Sequence, residues 1–166
     1  MKVPHIILTI LIIAFVGQFA YFYPKLPETI ASHFDAAGHA NGFSSSLSFF
    51  LLEGVILAFL LIVFLSTGTI LRRLPASLIN LPNKNFWLAP ERREETFAAF
   101  DSFFVWLSVS VFALIVWVNQ VALSANLVKT DPNPTLFWIA IVACLLFDTI
   151  LSVLFLKRFL GTGKHV

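Results

Sequence analysis

Three carboxylates interrupt otherwise apolar stretches of this chain: Glu53, Asp101 and Asp148. An acid surrounded by hydrocarbon must face protein or water, so each is a lead for proton or cation handling. The plainer alternative is a neutral acid used for structural hydrogen bonding, and the unequal depths of the three favour it over a relay. Asp148 shares a four-residue spacing with Ala140, Cys144 and Ser152, a small and polar stripe suited to helix packing. Asp101 lies about one turn from the end of its run, within reach of a snorkelling Arg72 or Arg73. Glu53 lies near the opposite end, at a depth that suits Asn119, Gln120 or the loop before it.

A second set, His33, Asp35 and His39, combines imidazole and carboxylate in one loop, donors suited to a divalent ion such as zinc. Extended backbone would put His33 and Asp35 on one face, with Ala31, opposite Ile30, Ser32 and Phe34. No fourth protein ligand is evident. The competing reading has Asp35 bonded to backbone N–H groups of a turn. No nucleophile–base pair, phosphate-binding glycine loop or two-cysteine redox motif occurs, so nothing supports an enzyme. Cys144 is the single cysteine and cannot form an intrachain disulfide.

The elements that must position these groups follow from composition. Of 166 residues, 58% are hydrophobic and 12% charged, against roughly 45–50% and about 25% in soluble domains. A lipid core about 30 Å thick needs about 20 apolar residues in a helix. Four runs qualify: residues 6–23, 47–71, 97–123 and 136–156. Helices satisfy their own backbone groups in lipid, and the runs are too long for barrel strands. The fold class is therefore an all-α four-helix membrane bundle. In the fourth run, fourteen Leu, Ile, Val or Phe residues at about −0.3 to −0.6 kcal/mol each outweigh Asp148 at about +2.5 to +3.5. The first run lacks a convincing cleavage site and is expected to remain as a helix.

Charge orients the bundle. With both termini cytoplasmic, nine basic residues fall inside: Lys2, Arg72, Arg73, Lys84, Arg92, Arg93, Lys157, Arg158 and Lys164. Only Lys25 and Lys129 fall outside. That bias is the positive-inside signal. Residues 24–46 then form an external loop, 72–96 a cytoplasmic loop, 124–135 a second external loop and 157–166 a cytoplasmic tail. A net charge of +2 in short clusters argues against a nucleic-acid partner.

Both longer loops carry patterns. In the first, Gly38 and Asn41-Gly42 predict turns and a hairpin-like cap. In the second, Pro75, Pro82 and Pro90 preclude one continuous helix, and Pro90 fits a first helical position with Glu91, Glu94 and Glu95 in the first turns. Trp87, Glu91, Arg92 and Arg93 suit the headgroup zone, or alternatively a docking surface for a cytosolic partner or anionic lipid.

Leu26-Pro27, His33-Phe34-Asp35, Gly38 and Asn41-Gly42 resemble the first-loop motif of bacterial SdpI-like membrane proteins, named after an immunity protein against a secreted toxic peptide. The stretch from Leu81 through Pro82, Asn83, Trp87, Pro90, Glu91, Arg92 and Arg93 to Thr96 is similar to a second motif in short members of that group. The resemblance implies a multi-pass protein of a bacterial cytoplasmic membrane, non-enzymatic, sensing or conferring immunity. Its external loop would contact a peptide, ion or lipid through His33, Asp35, Gly38, His39, Asn41 and Gly42. The alternatives are a small proton- or cation-coupled transporter built on the three acids, or an accessory subunit of a membrane complex. A homodimer would cover part of the large apolar surface.

Overall fold

A computed structural model describes residues 3–161 of the chain. Lys2 and Lys164, two of the nine charges behind the orientation argument, lie outside the described residues. The four apolar runs form helices long and apolar enough to cross a membrane: α1 (Val3–Phe22), α2 (Ser46–Arg73), α4 (Arg93–Val128) and α5 (Pro134–Leu160). Between α1 and α2 lie a 3-10 turn, Tyr23–Lys25, and two strands, β1 (Thr29–Phe34) and β2 (Ala40–Ser45). Between α2 and α4 lie a second 3-10 turn, Ala76–Leu78, and the short α3 (Lys84–Trp87).

Every main helix is longer than its apolar run. At α2 and α5 the reason is capping chemistry at the start. Ser45 accepts a bond from Ser48 N–H at 3.0 Å and starts α2. Asn133 accepts from Thr135 N–H at 3.0 Å, with Pro134 at the first position of α5, where its missing N–H costs nothing. The largest extension is in α4, which continues past the predicted end at Leu123 to Val128 and stops at Lys129 in the left-handed region (φ 57°).

At the start of α4 the prediction for Pro90 needs correction. Arg92 and Arg93 N–H both donate to Ala89 O, so Pro90 sits inside a turn and the helix begins three residues later. Glu94 and Glu95 occupy the first helical turn, where the helix dipole favours them, but Glu91 precedes it.

α4 is the hub: α1, α2 and α5 each pack extensively against it. Its own sequence explains this, because Ala99, Ser108, Ala122 and Ala125 are all buried and small side chains let helices approach. Three apolar clusters stack along the bundle. One holds Phe22, Ile30, Phe49, Phe50 and Leu123 at the hairpin end. The second holds Leu8, Leu57, Val109 and Phe112 at mid-height. The third, at the opposite end, gathers Ile79, Leu81, Trp87, Leu88, Phe97, Phe100 and Phe159. By contrast, α5 buries only Phe159 and turns most of its Leu, Ile and Val outward, as a lipid-facing helix does.

The strands pair antiparallel as a hairpin, with Thr29 opposite Ser45 and Phe34 opposite Ala40. The predicted cap is thus present, and its reversal falls at Gly38, one of the two expected turns, while the other does not form. Asp35 N–H donates to His39 O and Gly38 N–H to Asp35 O, so the chain turns at residues 35–39, with Gly38 at φ 89°. Asn41-Gly42 lies within β2. Gly42 is required for a different reason: a Cβ there would stand 2.9 Å from His33 Cβ.

Candidate functional site

The pairing shifts between Ala31 and His33 and again between His33 and Phe34. Ser32 on β1 and Asn41 on β2 are therefore extra residues, and such bulges break strict alternation. This overturns the predicted faces. Instead of splitting two ways, Ser32, His33, Phe34 and Asp35 in succession line one cavity. Ile30 alone of the expected apolar set is fully packed, at 1% exposure.

Four contacts fasten the hairpin over the bundle. Asn126 on α4 uses its side-chain amide as a strand edge: Ala31 N–H donates to its Oδ1 at 2.7 Å, and its Nδ2 donates to Ala31 O at 2.9 Å. Ser46 at the start of α2 donates to Pro27 O. Trp138 Nε1 on α5 donates to Ala36 O at 3.2 Å. Gly38 rests on the segment between α4 and α5, where a Cβ would approach Pro132 O to 2.7 Å. Pro132 belongs to the Asp131-Pro-Asn-Pro134 turn that the sequence marks, whereas Asn126 and Trp138 carry no such mark. For Asn126 the available signal is a polar amide three residues past the apolar run and five before that turn.

Under this roof lies a cavity of about 510 Å³ bounded by β1, α2, α4 and α5. Glu53 stands on its α2 wall, seven residues into that helix, or about 10 Å below its start at the usual helical rise. Asn119 Nδ2 donates to Glu53 Oε2 at 3.4 Å, as the depth of the two residues predicts. Phe34, Phe49, Phe137 and Trp138 supply aromatic walls. No Lys or Arg lines the space.

At the rim, Asp35 Oδ1 accepts from the N–H groups of Ala37 and His39 at 2.9 Å each, and His39 Nδ1 lies 3.5 Å from Oδ2. The backbone bond from His39 is the main cause that holds the Asp35 carboxyl below its ordinary value of 3.8. This is the turn role weighed from sequence. His33 is drawn elsewhere: its Nδ1 is bonded to Asn41 Oδ1. The proposed metal set of His33, Asp35 and His39 is accordingly not assembled, and among the described residues no group of three His, Cys, Asp or Glu side chains is placed to hold a metal.

The other two acids have separate partners. Asp101 is gripped by Arg72, Nη1 to Oδ1 at 3.0 Å and Nη2 to Oδ2 at 2.6 Å, a bidentate fit specific to guanidinium. Gly68 makes room for it, since a Cβ there would fall 1.7 Å from Asp101 Oδ1. Asp148 Oδ2 lies 3.5 Å from Cys144 Sγ, which in turn is 3.3 Å from Ser110 Oγ on α4. Asp148 Oδ1 is buried without a hydrogen-bond partner among the described residues. The predicted stripe does face α4, with Ala140, Cys144, Asp148 and Ser152 all half-buried.

The second motif proves to be a cap for the last helix. Asn83, in the left-handed region at φ 51°, donates from Nδ2 to Phe159 O and Leu160 O at 3.2 and 2.9 Å. Trp87 Nε1 donates to Phe159 O and Gly161 O at 3.2 Å. Terminal helix carbonyls lack partners of their own, and this loop provides them. Pro82 leads into the Asn83 turn. Arg92 lies 3.9 Å over the Phe86 ring, and Arg93 Nη2 donates to Arg72 O at 3.2 Å. Glu91 is exposed.

Residues 9–57 match a family described as a domain of unknown function, DUF1648. The matched stretch runs through most of α1, the whole hairpin and α2 as far as Glu53 and Leu57, and is just under a third of the chain. No curated protein and no solved structure matches the chain.

Proposed function

We propose that this is an SdpI-like, non-enzymatic sensor or immunity-type protein of a bacterial cytoplasmic membrane. Its hairpin faces outward, both termini face the cytoplasm, and the hairpin-roofed cavity takes the ligand. The single observation that carries the reading is that cavity. Four separate contacts hold a polar hairpin above a space with two acids, Glu53 and Asp35, and several aromatic walls. A few fixed polar groups in a mostly apolar recess are the usual make-up of a small-ligand site. Orientation rests on the nine-to-two charge bias in the sequence and the positive-inside rule. The two loop motifs support the SdpI-like relationship.

The three acids sit in three distinct settings, one in the cavity, one ion-paired and one beside a thiol. That separation weighs against a shared proton path. The test is growth of cells expressing the parent chain, Ile141→Trp (which fills the cavity from α5) or Asp148→Asn, each challenged with a panel of membrane-active peptides and amphiphiles. Protection by the parent and by Asp148→Asn, lost in Ile141→Trp at equal membrane abundance, is the expected result. Protection that vanishes with Asp148→Asn and survives Ile141→Trp overturns the reading in favour of transport.

A further inference from the structure

The cavity under the hairpin has a definite charge character, and this inference rests on the ligand-binding reading above. Glu53 is the ionisable group on its helical walls, and Asp35 is the acid at its rim. Neither faces a Lys or Arg: the Arg and His ion pairs among the described residues are Arg72–Asp101, Arg158–Glu95 and the His39–Asp35 contact at the turn. The Asn119 amide at 3.4 Å is the hydrogen-bond partner of Glu53 among the described residues. A carboxylate can accept about four hydrogen bonds, so most of its capacity is unused.

Around it, the aromatic rings of Phe34, Phe49, Phe137 and Trp138 line the space. Trp138 is fixed to Ala36 O by its indole N–H and so holds its ring as part of the wall. Aromatic faces attract cations, most strongly when water is excluded. An anionic ligand would meet two acids and electron-rich rings with no Lys or Arg to receive it, and the one imidazole there, His33, is bonded to Asn41. A neutral apolar ligand would leave the carboxylate with the Asn119 amide as its partner and its remaining capacity unmet.

We propose that the cavity binds a small organic cation carrying an apolar body, with the ammonium-type group at Glu53 and the body against Phe137 and Trp138. Asp35 at the rim adds attraction for the incoming charge. The volume of about 510 Å³ falls in the range of small-molecule sites, roughly 300–1,000 Å³.

The experiment uses the full chain in nanodiscs of zwitterionic lipid, where the membrane adds no net charge. Isothermal titration is run with benzylammonium, neutral benzyl methyl ether and anionic benzenesulfonate, each corrected with empty nanodiscs. Binding of the cation in preference to the other two is expected. Glu53→Gln, nearly the same size, should weaken it about tenfold, the scale of one contact to a charged group. Trp138→Leu should weaken it about threefold, in keeping with the loss of one aromatic contact to the apolar body.

If the neutral and cationic probes bind alike, Glu53→Gln changes nothing and Ile141→Trp abolishes both, the cation assignment falls while the ligand-binding cavity stands. Should no probe bind, or should Ile141→Trp leave binding unaltered, both are overturned.

Discussion

The two ends of the bundle solve opposite problems. At the hairpin end, Ile30 anchors a small sheet in an apolar cluster, polar contacts fasten the rest, and a cavity remains beneath it. At the other end the loop is driven into the bundle. Phe100 stacks on Phe104 and Phe159, with Phe155 edge-on, and Trp87 packs edge-on to Phe159 at 5.2 Å. Arg72, Asp101 and Arg93 tie α2 to α4, and Arg158 reaches Glu95 at 2.7 Å. The Trp87 end is a closed joint. The hairpin end is a fastened lid, whose attachments are individually removable without emptying a core.

That contrast predicts unequal damage. Trp87→Ala removes a nearly buried indole and two carbonyl partners of α5, and should cost about 3–5 kcal/mol by the usual scale of large aromatic truncations. Thermal unfolding in detergent should show one lowered transition for the whole chain. If only the hairpin loosened, the closed-joint description would be wrong.

Gly38→Val should cost about 1–3 kcal/mol, because a branched residue at positive φ is strained and its Cβ meets Pro132 O. The loss should stay local. Hydrogen exchange at β1 and β2 should quicken while α4 amides keep their protection.

Asn126→Ala deletes both bonds to Ala31 and should weaken hairpin docking by about 1–3 kcal/mol, two ordinary hydrogen bonds. Protease cleavage within residues 29–45 is the readout. An unchanged cleavage rate would mean that the Gly38 and Trp138 contacts suffice.

The smallest effect concerns acidity. Asp35 has a folded value below its ordinary 3.8, so its charged form supports the turn at pH values above 3.8. That support is lost as pH falls below 3.8 through the folded value. Exchange at Ala37 and His39 should quicken in that acid range and not between pH 7 and 5. Asp35→Asn should remove the dependence.

The helical part of this architecture was legible because about 20 apolar residues in a row have few other solutions in lipid. The hairpin was legible from alternation and glycine, and the turn at Gly38 formed, but the second expected turn did not. Asn41-Gly42 has the composition of a tight reversal, whereas the two bulges and the close approach to His33 place it in a strand. Bulges follow from how β1 meets α4 and α5, a tertiary fact that local spacing does not carry. The same limit hid Asn126 and Gly68. One acts through an amide turned onto another segment, and the other through the volume it leaves for Asp101. Glu53 with Asn119, and Asp101 with Arg72, were readable because depth along a helix follows directly from residue count. The cavity required all four elements at once.

A last consequence concerns α5, whose one extensive helix partner is α4 and whose two ends are tied by Trp138 on one side and by Asn83 and Trp87 on the other. Between those ties it is seated on a single neighbour, through Phe147 on Trp106 and Phe155 on Phe103, with its other faces free of helices among the described residues. Sideways flexing of α5 against α4 would change the width of the hairpin-side recess while the far joint acts as a pivot. Occupancy under the roof would thus register as a tilt of α5 felt at the Trp87 loop, about 30 Å of helix away from Trp138 to Phe159 at about 1.5 Å per residue.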